Sequence, residues 1–136
     1  MKRCFFIAFI VAVILLMHVS CLDIDPVPSG TYDVPSFPLH LRNTSTTSGV
    51  YFWYERWYVL GYLVQGPEWV SVYLAKSPEP GTPVDKTIHL LKATSDWYVQ
   101  RDIDSVVIGS GAVYFDCEKW LLIGTSSCTW SDNPLW

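Results

Sequence analysis

Chemistry needs side chains that hold protons, metals or nucleophilic electron pairs, and this sequence brings few of them together. Past the first 21 residues its histidines are His40 and His89. Either combines on paper with a serine and an aspartate into a hydrolytic triad. No Gly-x-Ser-x-Gly elbow presents such a serine, and Gly109-Ser110-Gly111 reads as a turn. His89 stands between Ile88 and Leu90, a spacing that points it to the wet side of a strand. Asp102-Ile103-Asp104 sets two carboxylates on one side of the chain, and Asp23-Ile24-Asp25 repeats the pattern. Calcium takes about six to eight oxygens, so each pair reads as a solvated acidic turn. The two cysteines past residue 21, Cys117 and Cys128, have no neighbouring histidine and do not make a zinc site, and no Cys-x-x-Cys is present. The expectation is no catalytic residue, no metal site and no cofactor.

Two covalent modifications are expected instead. Cys117 and Cys128 form an even pair, most simply one disulfide in an oxidising compartment. Asn43-Thr44-Ser45 is a glycosylation sequon inside a polar run, so Asn43 is the expected sugar carrier.

Both expectations rest on the compartment, and the N-terminus supplies it. Lys2 and Arg3 precede 14 uninterrupted apolar residues, Cys4 to Met17. This is the order of a secretory signal peptide, and the run is short for a membrane span. Val19 and Cys21 are small enough to precede a cleavage site, which places a signal peptide at 1–21 and a single domain at 22–136. The mature chain is therefore expected to be extracellular with no membrane span. Thirteen acidic residues then face seven basic ones, a net charge of −6, and no basic run exists. Nucleic acid is excluded as a partner.

The elements that must carry these residues are strands. Val50 to Gly61 and Val113 to Gly124 form an internal repeat, with Val, Tyr, Phe, Glu, Trp and Gly shared at equivalent positions. Each copy reads as a hairpin: Val50–Tyr54 and Trp57–Tyr62 around Glu55-Arg56, then Val113–Asp116 and Trp120–Gly124 around Cys117–Lys119. Gly30–Val34, Leu39–Arg42, Trp69–Ala75, Ile88–Lys92, Trp97–Arg101 and Val106–Ile108 are further strand candidates, rich in β-branched and aromatic residues. The prolines of Ser77–Pro83 force an irregular connection. No helical period is sustained, although Val84–Lys92 admits a helical turn at its start. The predicted class is all-β, antiparallel, with short strands and two related hairpin-containing units in one compact domain.

Alternation along the first hairpin puts Val50, Phe52 and Tyr54 on one face and Tyr51 and Trp53 on the other. Residues repeated in both copies, such as Phe52, Phe115, Trp57 and Trp120, are expected in the core. Trp53, Tyr54 and Tyr58 have Asp116, Cys117 and Leu121 as counterparts, so a shared fold does not demand aromatics there. These three are the candidate binding residues; the competing expectation is that they pack against other parts of the fold.

The Val50-Tyr51-Phe52…Arg56-Trp57-Tyr58-Val59-Leu60-Gly61 segment follows Gly30-x-Tyr32 and Pro38-x-x-x-Arg42-Asn43. It precedes Val72-Tyr73-Leu74-Ala75-Lys76-Ser77, a Pro-rich stretch and Trp97. In that order the chain resembles a short Trp/Tyr/Gly-rich extracellular module of secreted proteins from marine invertebrates and protists. The resemblance implies an extracellular β-domain and no catalytic residue. With the acidity and the leader, it sets the expectation of a non-enzymatic structural or interaction protein of an extracellular matrix, including the organic matrix of a calcified shell. Its expected partners are matrix components or glycans. The alternative is a lectin-like or defence binding module working through exposed aromatics.

Overall fold

Strands dominate because β-branched and aromatic residues recur at alternate positions, which gives each segment one apolar face. The computed structural model describes residues 34–136, and every regular element among them is a strand. The expected signal peptide, Asp23-Ile24-Asp25 and all but the last residue of the Gly30–Val34 candidate lie outside the described residues. The strands are β1 Ser36–Asn43, β2 Val50–Leu60, β3 Leu63–Leu74, β4 Val84–Leu91, β5 Ala93–Arg101, β6 Val107–Phe115, β7 Lys119–Ile123 and β8 Cys128–Ser131. They make two four-stranded sheets, ordered β4-β1-β7-β8 and β3-β2-β5-β6. Pairing is antiparallel throughout, except that β1 runs parallel to β7. The class is all-β, as the sequence predicts. Val84–Leu91 is strand from its first residue, without a helical turn.

One core holds both sheets together. Leu39, Leu41, Leu121 and Ile123 from the first sheet and Val50, Phe52, Leu74 and Val99 from the second are fully buried. Trp130 of β8 meets Phe52, Trp97 and Phe115 edge-on, with ring centroids 6.3, 5.2 and 6.0 Å away. Edge-to-face pairs of this kind stabilise by about 0.5–1.5 kcal/mol each beyond the area they bury. Phe52 and Trp97 belong to the second sheet, so Trp130 stitches the layers at one end.

The first repeat copy is not a hairpin by itself. β2 runs straight through Glu55-Arg56, because both residues find partners as strand residues. Arg56 pairs with Glu68 across β3, and Glu55 accepts the backbone N–H of Asp96 at 3.1 Å. The turn comes later, at Gly61-Tyr62, where Leu60 faces Leu63. Gly61 has φ of 63°, which a two-residue hairpin turn of the primed type requires at its first position. Between Arg56 and Tyr58 the register shifts, with Gly66-Pro67 on β3 opposing Trp57 alone. This bulge bends the outer half of the hairpin away from the sheet. β5 pairs with β2 only along Val50–Tyr54, so the hairpin beyond the bulge projects past the second sheet.

The second copy departs further. Phe115 ends β6 in the second sheet and Lys119 begins β7 in the first. Residues 116–118 are thus a corner between layers, not a hairpin turn. The shared positions do place Phe52, Phe115 and Trp120 in buried sites. Trp57, expected in the core, is only half-buried with its indole N–H on the Thr94 carbonyl, and Val59 is 38% exposed on the projecting hairpin.

The expected Cys117–Cys128 disulfide does not form. Cys117 precedes β7, whereas Cys128 pairs with Ile123 at the strand's other end. β7 alone separates those ends by about 13 Å, and a disulfide needs Cα atoms within about 7 Å. Cys117 instead lies 3.5 Å from the Lys119 ammonium, and Cys128 is half-buried beside Gly109 and Trp97.

Asn43 is not available as a sugar carrier either. It is fully buried, and its Nδ2 donates to the carbonyls of Ser48 at 3.2 Å and Ala75 at 3.0 Å. Its Oδ1 accepts from the Ser45 N–H at 3.0 Å. A glycan needs that nitrogen free and facing water. The polar run that suggested an exposed loop is a pinned corner, in which the buried Ser45 and Ser48 satisfy each other and the backbone.

Candidate aromatic binding face

The inward face of β2 carries Val50, Phe52 and Tyr54; its outward face carries Tyr51, Trp53 and Glu55. Antiparallel register then decides which side chains join them. Tyr51 lies opposite Tyr73 of β3 and Gln100 of β5; Trp53 lies opposite Ser71 and Tyr98; Glu55 lies opposite Trp69. Directly opposed residues share a face. The outer face of the second sheet thereby collects Tyr51, Trp53, Trp69, Tyr73 and Tyr98.

These rings touch. Trp53 stacks on Tyr98 with centroids 5.9 Å apart and planes 15° from parallel. Trp69 leans onto the same Tyr98 at 5.5 Å, and Tyr51 meets Tyr73 at 4.9 Å. Tyr51, Tyr73 and Trp69 remain 38%, 39% and 48% exposed after that packing. A strand advances about 6.6 Å over two residues, so the two ring clusters are neighbours on one surface. The Trp53 indole N–H is buried without a hydrogen-bond partner. Leaving such a donor unpaired costs about 1–3 kcal/mol. Position 53 therefore uses the ring's apolar surface, not its polar handle.

One end of this surface is fixed by a hydrogen bond. The Tyr73 hydroxyl donates to Asp102 Oδ2 at 2.8 Å. That bond raises the phenol's pKa above its ordinary value. Asp102 is positioned in turn by its N–H, which donates to the Gly49 carbonyl at 3.0 Å. Asp104 turns elsewhere and binds the Arg101 guanidinium at 3.0 and 2.5 Å. Asp102 and Asp104 therefore serve different partners and do not converge. Among the described residues no group of three His, Cys, Asp or Glu side chains is placed to hold a metal ion.

The three aromatics singled out from the sequence go to three places. Trp53 belongs to the outer surface. Tyr54 is in the core, stacked on Phe52 at 5.3 Å, and burial raises its phenol pKa. Tyr58 sits on the projecting hairpin, with the Arg56 guanidinium 5.6 Å from its ring centroid. Tyr51, Trp69, Tyr73 and Tyr98 were missed. The signal was available in the alternation Trp69-x-Ser71-x-Tyr73, but choosing which alternate set faces out needs the register with β2.

The first sheet carries other polar chemistry. His40 Nδ1 lies 3.0 Å from Thr87 Oγ1, and His40 Nε2 lies 2.5 Å from Glu118 Oε1. The imidazole also stacks on Trp120 at 5.0 Å. This set ties β1 to β4 and to the corner before β7. His89 is exposed on the same edge strand. A shallow cavity of about 280 Å³ opens between Arg42, Ser77, Pro83, Leu122 and Leu135. Its one guanidinium is already engaged, by Asp85 at 2.7 and 2.6 Å and by the Trp136 ring at 4.5 Å.

No protein-family model matches the chain, and no curated protein matches it.

Proposed function

We propose that this is a secreted binding module of an extracellular matrix, and that the outer aromatic face of the second sheet takes flat, extended glycan chains. The observation that carries the reading is the contiguous set Tyr51, Trp53, Trp69, Tyr73 and Tyr98, with three of the five more than a third exposed. Sugar rings present flat C–H faces that stack on aromatic rings and leave their hydroxyls in water. An open sheet suits an extended polymer chain, whereas a short soluble sugar is better held in a pocket. Ser71 lies beside the rings and supplies a hydroxyl at the level of the sugar hydroxyls, while Gln100, opposite Tyr51, donates its amide to the Ser105 carbonyl at 3.1 Å. The leader-like N-terminus and the acidic composition support the extracellular setting.

The test is depletion of the protein from solution by insoluble β-1,4-linked polysaccharides, with calcium carbonate as a mineral control. Wild type is expected to bind the polysaccharide, and Trp69→Ala to bind at least about tenfold more weakly. Equal depletion of wild type and Trp69→Ala overturns the assignment of the face. Retention on the mineral alone supports the shell-matrix reading instead.

A further inference from the structure

We infer that the tip of the projecting β2–β3 hairpin is a membrane-docking element that enters the headgroup layer of an electrically neutral, zwitterionic lipid surface. Leu60, Tyr62, Leu63 and Val64 are 67%, 63%, 65% and 43% exposed, and Val59 adjoins them. Solvent-facing apolar side chains scattered singly are ordinary, but five at one protruding tip are a patch.

The two faces of the ribbon narrow the choice of occupant. Leu60 and Leu63 oppose each other on one face, and Val59 and Val64 oppose each other on the other. A protein partner laid against one face leaves the opposite pair in water. A lipid surface surrounds the tip and covers both pairs and the turn together.

Charge selects the kind of lipid. From Trp57 to Pro67 the chain has no charged residue. The nearest charges, Arg56 and Glu68, pair with each other at the hairpin's base. The whole chain carries a net charge of −4. An acidic body with an uncharged tip is matched to a neutral surface and repelled by an anionic one.

Backbone chemistry sets the depth. Beyond Trp57, whose indole N–H still donates to the Thr94 carbonyl of β5 at 3.3 Å, the outer edge of β2 has no partner strand, and β3 is an edge strand of its sheet. Open strand edges are not tolerated in the hydrocarbon core. Two rungs, Val59–Val64 and Leu60–Leu63, reach about 7–10 Å, which is the depth of interfacial elements that remain in contact with water. Tyr58 then lies at headgroup level, where aromatic residues are favoured, while Trp57 ties the base of the hairpin to β5. This site is separate from the outer aromatic face and does not depend on its assignment.

The experiment is co-sedimentation of the protein with phosphatidylcholine vesicles and with vesicles rich in phosphatidylserine. Wild type should pellet with phosphatidylcholine and less well with phosphatidylserine. The Leu60→Asp/Leu63→Asp double variant should lose at least about tenfold in partitioning while keeping its melting temperature. Trp69→Ala should pellet like wild type. Wild type remaining in the supernatant overturns the proposal, as does a double variant that still pellets. Loss of pelleting in Trp69→Ala moves the lipid site to the aromatic face and also overturns it. A concentration-dependent dimer in sedimentation velocity, abolished by the double substitution, assigns the tip to a second copy of the chain instead.

Discussion

The Tyr73 hydroxyl and Asp102 Oδ2 meet directly over Gly49, in the space that a side chain there would fill. Gly49 is buried, so a side chain there must push the Tyr73 hydroxyl and the Asp102 carboxylate, both ends of exposed side chains, apart and break their bond. Gly49→Ala is expected to cost about 1–3 kcal/mol through overpacking and to weaken polysaccharide binding. Asp102→Asn keeps the space but weakens the acceptor, so it should lower affinity with little change in the melting temperature. Thermal melts and depletion isotherms on both variants check this.

Rings of the two faces should behave oppositely on truncation. Phe52→Ala removes a fully buried side chain and should cost about 3–5 kcal/mol, a large share of a small domain's stability. Trp69→Ala and Tyr98→Ala should leave folding largely intact while reducing binding. Trp53→Ala should fall between them, since its ring is half-buried beneath that surface. Denaturant unfolding of the four variants decides it.

Asn43 should prove structural. Asn43→Ala leaves the carbonyls of Ser48 and Ala75 and the N–H of Ser45 without their partner. The expected loss is about 2–3 kcal/mol by equilibrium unfolding. Intact mass of protein from a eukaryotic secretory host should show no hexose-containing adduct at Asn43.

Alkaline pH should destabilise the fold through Cys128. Burial pushes its thiol from 9.0 up to about 11, so the folded state holds the proton more tightly than the unfolded chain does. That stability is fully present below about pH 9 and is lost as pH rises toward 11. Lys119 moves the same way: burial opposes its charge, but Asp132 and Cys117 outweigh that and raise its pKa. Denaturant midpoints between pH 9 and 11 should therefore fall more steeply for wild type than for Cys128→Ala.

Alternation and proline content made most strands and the irregular Ser77–Pro83 connection legible, but β8 had no candidate, and Gly109-Ser110-Gly111, read as a turn, is strand inside β6. Val50, Phe52 and Tyr54 share the core face as their spacing predicts. The turn was misplaced because Glu55-Arg56 is polar, and polar pairs mark turns; here each charge meets a partner on a neighbouring strand. Gly61 was the better signal. Sheet membership was not legible. Nothing local distinguishes the corner at 116–118 from a hairpin turn, since the difference lies in what β7 pairs with. The disulfide reading failed for the same reason: proximity in sequence says nothing about opposite ends of one strand. Of the outer aromatic face only Trp53 was legible as a candidate; Tyr54 and Tyr58 lie elsewhere, and Tyr51, Trp69, Tyr73 and Tyr98 required cross-strand register.

The parallel β1–β7 pairing carries a consequence for the newborn chain. β2 can zip against β3 as soon as both have left the ribosome, with only the Gly61-Tyr62 turn to close. β1 must wait for β4 on one flank and, on the other, for a strand made almost eighty residues later, when Leu41 finally lies beside Leu121. Closing so long a loop is an entropic cost borne before any contact repays it. β4 is made before β5 and β6, so β1 and β4 can cover part of the core while the second sheet is still assembling, and β7 and β8 complete that layer afterwards.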